Sequence, residues 1–383
     1  MANVRSGQLI IAAILAIFVY GMIAAMLGTI LPSFQFTPDQ SGTIAMAQAF
    51  GLVLASLSAG PLTDNKGKKL ALVISLGLIA LALFLLANAE RDATQVAMYM
   101  FLQGFGGGML VTSANALVSD INPEKRAATL NFLNLFFGLG GMATPFVAAN
   151  LLGGDAMRIA YAAAILTAGV FVFHAATPMP PPTGERGFKA SEVGDVLGRP
   201  ALWLLSAFLF LYVAAEVGVW NWLAKYLISR GVPEKDALNT LSLGFALGLL
   251  VGRVVISRVL IKVAAPTVTL GSAVAMTVTT YLMLQTADPT IAWIAVFCAG
   301  LAMAPVFPTT LAMVGDTFPR ATATAMGIVI TFGWIGLAVS SPIIGGIAGG
   351  SDAELGKALL LLPAASILMV LVNLALRPML RKG

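Results

Sequence analysis

Gly60-Pro61-Leu62-Thr63-Asp64-Asn65-Lys66-Gly67-Lys68-Lys69 is a short polar turn set between two apolar runs, 40–62 and 70–88. Each run is close to the length, about 20 residues, that an apolar helix needs to cross a hydrocarbon core. Outward from this turn the same alternation of long apolar run and short polar break continues to both ends of the chain. It predicts spans at 8–32, 40–62, 70–88, 95–119, 128–152, 157–177, 201–228, 235–261, 267–287, 290–314, 323–348 and 356–376. Composition agrees, with 58% of the 383 residues hydrophobic and 10% charged and a mean hydropathy of +0.92. A soluble fold cannot bury that much apolar surface. The runs are continuous rather than alternating, so they are helices that satisfy their own backbone hydrogen bonds in lipid, not barrel strands. The expected fold class is all-α integral membrane, with twelve transmembrane helices and no room for a sizeable soluble domain. The first run reads as retained, because it is long, ends at Leu31-Pro32-Ser33-Phe34 without a small-residue cleavage pattern, and leads straight into another run.

Charge asymmetry sets the expected orientation, since Lys and Arg collect in loops on the cytoplasmic side. With the N-terminus inside, Arg91, Arg158, Lys225, Arg230, Lys235 and Lys357 fall outside and the other sixteen of the 22 basic residues fall inside. The chain is then a multi-pass protein of the inner (cytoplasmic) membrane with both termini cytoplasmic. This bias explains the net charge of +5, and no nucleic-acid partner is needed. The single cysteine, Cys298, lies within a span and excludes an intrachain disulfide or a cysteine metal cluster. The single histidine, His174, has no HxxH or HExxH neighbour. No metal, no cofactor and no catalytic constellation is expected, so the chain does not read as an enzyme.

The longest polar interruption, 178–200, contains Pro180-Pro181-Pro182 and Gly184-Glu185-Arg186-Gly187 and divides the spans six and six. The expected domains are an N-terminal six-helix bundle at 1–177, a cytoplasmic linker at 178–200 and a C-terminal six-helix bundle at 201–383. An internal repeat supports the division. Asp120-Ile121-Asn122-Pro123, with Arg126-Ala127, returns as Asp316-Thr317-Phe318-Pro319-Arg320-Ala321, 196 residues later. Gly140 through Pro145 returns at nearly the same offset as Gly336 through Pro342. Two such halves packed around a midplane site are what a secondary transporter is built from.

Residues 60–69 resemble the signature of the major facilitator superfamily, G-x-L-x-D-x-x-G-[RK]-[RK], in spacing and position. The resemblance implies two pseudo-symmetric six-helix bundles and a cytoplasmic gate at Gly60, Asp64, Gly67, Lys68 and Lys69. Glycines there permit a tight turn and close helix approach, and Asp64 can pair with bases or a helix N-terminus when that side is shut. A narrower resemblance, to the fucose permease-like branch of fucose–glucose/galactose proton symporters, rests on scattered stretches. These are Leu31 to Phe34, Thr112-Ser113-Ala114-Asn115, Leu130-Asn131 through Asn134 and Gly138, Tyr212-Val213 through Trp220, and Ala304-Pro305-Val306-Phe307-Pro308-Thr309. It implies a small-molecule substrate, protons and membrane lipids as partners, and a working monomer. The chain departs from that branch where its membrane carboxylates would stand, with Gly28 and Val111, and has Met100 where many proton-coupled facilitators carry an arginine. Instead it places Glu216 where the branch has glutamine.

An ionisable group at mid-span is costly unless it faces a cavity or a partner, which makes Glu216 the leading functional candidate. Tyr212, Glu216 and Trp220 recur at i, i+4 and i+8 on one helix face, with Asn221 and Trp222 beyond them. Further substrate-binding candidates are Thr112 with Asn115, Asn131 with Asn134, and Tyr20; Gln48, Asn239, Thr331 and Trp334 are weaker ones. Amides in membrane helices also serve simply to tie neighbours together, and the alternative for Glu216 is a hydrogen-bonded packing residue. With Lys225 and Arg253 placed toward opposite span ends, no cation is expected at the depth of Glu216. Amides, hydroxyls and tryptophan then favour a neutral solute, a sugar or related compound, with proton coupling through Glu216. Two readings stand beside it. One is a proton-driven exporter of lipophilic or cationic compounds; the other is a non-transporting membrane receptor or lipid-flipping scaffold.

The signature turn gives a direct expectation. Asp64→Asn keeps the side chain's shape and loses its charge, so transport should fall while the protein still folds, and cysteine labelling of the cytoplasmic cavity should rise. Transport and labelling both equal to wild type would remove the gate from residues 60–69.

Overall fold

The computed structural model describes residues 6–90, 92–121, 126–179, 196–260, 262–285, 288–318, 322–349 and 351–380. Among them there is no strand, as expected for backbones with no water to bond with in the membrane core. The helices are α1 (Ser6–Phe34), α2 (Pro38–Lys66), α3 (Lys68–Ala87), α4 (Ala93–Ile121), α5 (Arg126–Asn150), α6 (Ala156–Ala176) and α7 (Pro200–Ser229). They continue with α8 (Glu234–Asn239), a π-helical turn Thr240–Ala246, and α9 (Leu247–Val259), which run on as one rod. After α10 (Ala265–Gln285), α11 (Pro289–Met303) and α12 (Val306–Thr317) form another rod broken at Ala304-Pro305. The last are α13 (Thr322–Ala348), α14 (Leu355–Ala358) and α15 (Leu361–Leu380). Among the described residues, nine stretches are long and apolar enough to cross a membrane. Helices α2, α4 and α5, at 29, 29 and 25 residues, bring the rods of spanning length to the expected twelve.

Local chemistry sets the ends. Asp155 caps α6 by accepting the Arg158 amide at 2.9 Å, and Asp288 caps α11 by accepting the Thr290 and Ile291 amides at 2.8 and 3.0 Å. Pro289 and Pro200 sit in the first turns of α11 and α7, where a missing N–H costs nothing. Gly67 separates α2 from α3 at φ 92°, a left-handed conformation that favours glycine, so the signature glycine is required by the turn itself.

The chain divides into two compact units, 1–36 with 43–187, and 37–42 with 188–383. Of the expected linker at 178–200, residues 180–195 lie outside the described residues. In the first unit α1 packs along α5 and α3 along α4 and α6; in the second α7 packs along α13 and α15, and α10 along α11 and α15. Lipid offers no hydrophobic drive for these contacts, so small residues and buried polar pairs make them. Gln48 Nε2 donates to Gln103 Oε1 at 2.8 Å between α2 and α4, Thr63 and Ser113 hydroxyls lie 3.0 Å apart on the same pair, and Asn373 Nδ2 donates to Thr269 Oγ1 at 2.8 Å between α15 and α10.

The 196-residue repeat has a packing meaning. A β-carbon on Gly140 would run into the Phe18 carbonyl of α1, and one on Gly336 into the Phe210 carbonyl of α7. At the same offset, one on Gly104 would meet the Gln48 carbonyl of α2, and one on Gly300 the Phe245 carbonyl of the π-helical turn. Each unit thus closes the same two helix crossings with a glycine against backbone. Gly140→Ala and Gly336→Ala should each destabilise the detergent-solubilised protein by about 1–3 kcal/mol, read as a lower Tm, because backbone cannot yield as a side chain can. Gly271→Ala and Gly346→Ala, whose β-carbons meet open space, should leave the Tm nearly unchanged.

Candidate functional site

Helix α7 is the most thoroughly buried long element of the second unit, with every residue from Leu223 to Leu227 and most from Tyr212 to Trp222 enclosed. Its helical period puts Tyr212, Glu216 and Trp220 in one line. All three are buried, and Glu216, at 8% exposure, is a carboxylate held inside an apolar helix bundle. Trp220 meets the ring of Phe245 edge-on, with centroids 5.1 Å apart and planes at 77°. Phe245 belongs to the π-helical turn, whose wider winding interrupts the regular register of its rod. Next to it, Gly244 would place a β-carbon 3.2 Å from Val296 and 3.5 Å from the Trp293 indole nitrogen, so that side of the turn lies flush against α11.

Consecutive in the chain and joined by a short turn, α7 and the α8–α9 rod run in opposite directions. From the Trp220–Phe245 contact, two turns back along α7 reach Tyr212, and two turns on along α9 reach Arg253. The guanidinium of Arg253 is close enough for its charge to bear on both Glu216 and Tyr212. Sequence position alone placed Arg253 toward the end of its span and away from Glu216; in the structure its charge acts on both Glu216 and Tyr212. Lys225 does stay at the end of α7, where its ammonium pairs with Asp352 at 3.4 Å.

Several buried polar groups of the second unit have no hydrogen-bond partner within the protein: the Tyr212 hydroxyl, the Trp220, Trp222 and Trp334 indole nitrogens, the Asn221 amide oxygen and the Thr309 hydroxyl. The Tyr212 and Trp220 donors come near the Glu216 carboxylate without the alignment of a hydrogen bond. Asn221 Nδ2 makes only a long contact, 3.5 Å, to Ser341 Oγ. Leaving a buried group unpaired costs about 1–3 kcal/mol, so this concentration of groups without aligned partners makes the α7 face the candidate ligand surface. Thr309 stands just beyond the Ala304-Pro305 break, and a discontinuous helix of this kind is a recurrent feature of solute sites in transporters.

In the first unit the candidates are more dispersed. Tyr20 is buried, with its ring 5.4 Å from that of Phe137. Thr112 is half-buried and donates to the Gly108 carbonyl of its own helix at 2.8 Å, and Asn115 is half-buried one turn on. The side chains of Asn131 and Asn134, and those of Gly60 and Asp64 in the signature turn, lie outside the described residues. Lys68 and Lys69 are half-buried at the start of α3. Gln48 is engaged with Gln103 as an interhelical link, and Thr331 donates to the Gly327 carbonyl of its own helix at 2.8 Å. Sequence reasoning missed Arg253 and Phe245 as members of the α7 face. The arginine had a legible signal, a lone charge inside Leu249-Leu250-Val251-Gly252-Arg253-Val254-Val255; the π-helical turn that presents Phe245 had none.

The family model of the Major Facilitator Superfamily matches residues 9–378. The chain belongs to that superfamily: it is a transporter of twelve transmembrane helices in two pseudo-symmetric six-helix bundles, and not an enzyme. Among its relatives is the glucose/mannose transporter GlcP of Bacillus subtilis, 24% identical over 350 residues that make up 86% of this chain and 85% of that one. Among solved structures, a variant of the nucleoside transporter NupG superposes with a TM-score of 0.82 at 15% identity, over 97% of this chain and 99% of that one. The major facilitator FucP in an outward conformation gives a TM-score of 0.69 at 18% identity, over 96% and 98%.

The orphaned groups can be tested directly. Thr309→Val removes a hydroxyl with no partner in the empty protein, and Tyr212→Phe one that stands near the Glu216 carboxylate without hydrogen-bond alignment, so the Tm should nearly hold. Substrate affinity, read by counterflow in proteoliposomes, should drop by about 1–3 kcal/mol, roughly 5- to 150-fold. A fall in Tm with affinity preserved would make them packing groups.

Proposed function

We propose that this transporter is a proton-coupled symporter that carries a sugar or related polyhydroxy compound by alternating access, with Glu216 as the group that loads and releases the proton. The observation that carries this reading is a buried carboxylate in the middle of α7, lined up with Tyr212 and Trp220 and faced by Arg253. Protonated, such a group lets a loaded carrier reorient; ionised and alone, it resists enclosure in a dry site. Tryptophan and unpaired hydrogen-bonding groups suit a solute with apolar C–H faces and polar edges. The likeness to GlcP, named as a glucose/mannose transporter, and to FucP, whose branch the sequence resembles, supports the same class. In this reading residues 60–69 form the cytoplasmic gate, 1–177 and 201–383 are the two bundles, the monomer is the working unit, and both termini face the cytoplasm from the inner membrane.

An exporter of lipophilic cations is less well supported, because an acid already faced by Arg253 is a poor trap for a second cation.

Glu216→Gln imitates the protonated state. It should abolish accumulation driven by a proton gradient in proteoliposomes while sparing exchange of substrate down its own gradient, and a protonophore should collapse wild-type accumulation. A Glu216→Gln protein that still concentrates substrate to the wild-type level moves the coupling elsewhere, and a protein that binds but never exchanges is the receptor or scaffold.

A further inference from the structure

In the first unit α1 packs along both α5 and α6, while α5 and α6, although joined by a short turn, meet each other only sparsely. A groove runs between them with α1 as its floor. It holds a cavity of about 110 Å³ bounded by Met22 and Met26 of α1, Val147 of α5, and Ile159, Ala162 and Leu166 of α6. Met22, Met26 and Ile159 are buried at its base, and Ala162 and Leu166 are exposed along its open side. Among the lining residues one side chain is polar, and that hydroxyl, on Thr144, is taken up by the Gly140 and Met22 carbonyls at 3.1 and 3.2 Å. The groove has no side-chain hydrogen bond left to offer a polar solute, and apolar cavities of this order of size stay dry and take up hydrocarbon.

The second unit fills the corresponding place from within. Gly140 faces the Phe18 carbonyl as Gly336 faces the Phe210 carbonyl, and eight residues beyond these phenylalanines stand Met26 in α1 and Gly218 in α7. Two residues beyond Pro145 and Pro342 stand Val147 in α5 and Ile344 in α13. Gly218 leaves a notch, and Leu362 of α15 and Ile344 of α13 both reach into it. In the first unit Met26 fills the notch with its own side chain, and the groove remains.

The rim carries the charge that selects the occupant. Helix α6 has 21 residues, about 30 Å of helix and one full hydrocarbon thickness, which puts its first turn at headgroup level. Arg158 lies in that turn. Arg158, Ala162 and Leu166 follow at i, i+4 and i+8, so the arginine stands on the α6 face that walls the groove. It is exposed, and its guanidinium pairs with no described residue. Asp155, its neighbour in sequence, is engaged as the helix cap, accepting the Arg158 amide at 2.9 Å. The turn that leads toward α15 is acidic instead, with Asp352 and Glu354 paired to Lys225 and Lys357. A guanidinium fork matches phosphate oxygens, and basic side chains beside membrane helices gather anionic headgroups.

We propose that the α5–α6 groove is a binding site for an anionic glycerophospholipid, with the phosphate met by Arg158 and one acyl chain lying along Ile159 to Leu166. That stretch is about 10 Å of helix, so it holds the part of the chain next to the headgroup. The lipid occupies the gap that the second unit closes with its own side chains, and by binding the folded state it stabilises the first unit.

The test uses the purified full-length protein, delipidated in detergent. Native mass spectrometry and thermal shift compare dioleoyl phosphatidylglycerol with dioleoyl phosphatidylcholine, and with glycerol phosphate and oleyl alcohol as headgroup and chain alone. Phosphatidylglycerol should be retained and should bind about fivefold more tightly than phosphatidylcholine, the effect of one basic residue at an anionic surface. Arg158→Gln should erase that difference and Arg158→Lys keep part of it. Ala162→Phe, which sets a ring in the open side of the groove, should release the lipid while the Tm of the lipid-free protein holds or rises. In bilayers, phosphatidylglycerol with a photoreactive acyl chain should crosslink the wild-type protein chiefly at α1, α5 and α6; should Ala162→Phe fail size exclusion, this crosslinking decides. Equal binding of the two phospholipids, a preference that survives Arg158→Gln, or crosslinks spread evenly around the bundle would reduce the groove to ordinary lipid contact and overturn the site. Glycerol phosphate or oleyl alcohol stabilising as well as phosphatidylglycerol would overturn it too, leaving an anion site without a chain or a chain pocket without a headgroup.

Discussion

A backbone inside hydrocarbon must find every hydrogen bond within itself, and the rest of this protein follows from that constraint. It makes the apolar runs helices. It also removes water as the medium that would drive those helices together, so association depends on how closely the rods approach and on the few polar groups they share. The glycines at 104, 140, 300 and 336 answer the first need by setting backbone against backbone. Gln48 with Gln103 and Asn373 with Thr269 answer the second, each pair sharing one hydrogen bond between neighbouring helices.

The same constraint separates structural from functional polar groups. A polar side chain in such a bundle is expensive unless paired, and at the first unit's α2–α4 crossing Gln48 bonds Gln103 and Thr63 bonds Ser113. Along α7 a phenol, two indoles and an amide oxygen have no aligned hydrogen-bond partner, and two of these groups, on Tyr212 and Trp220, stand beside the Glu216 carboxylate. The π-helical turn and the break at Ala304-Pro305 fall on the rods that flank this face. Departures from regular helix cost hydrogen bonds, and they are retained where they present groups that a straight rod would bury.

Membership of the major facilitator superfamily fixes architecture and the general act of transport, but the superfamily architecture serves many solutes, and the solute is read from the site. The residues to be weighed there are Glu216, buried in α7, and Arg253, whose charge acts on it.

The amino-acid sequence by itself determined the membrane class, the twelve spans, the repeat at 196 residues, the signature turn and the prominence of Glu216. Each is encoded locally, in run length, in spacing, or in the cost of one charge among apolar neighbours. Gly67 illustrates this, since its φ of 92° is demanded by the turn that the sequence pattern already marks. Tertiary structure alone decided that Gly140 and Gly336 are contact points rather than flexible positions, that Gln48 is engaged while Tyr212 and Thr309 are not, and that Arg253 reaches the carboxylate's neighbourhood. These depend on which faces of separate rods meet and on where a long side chain directs its charge. Neither is a function of position along the chain: the π-helical turn shifts the register by an amount no local pattern announces, and which helix an arginine's charge acts on is set by how the rods pack.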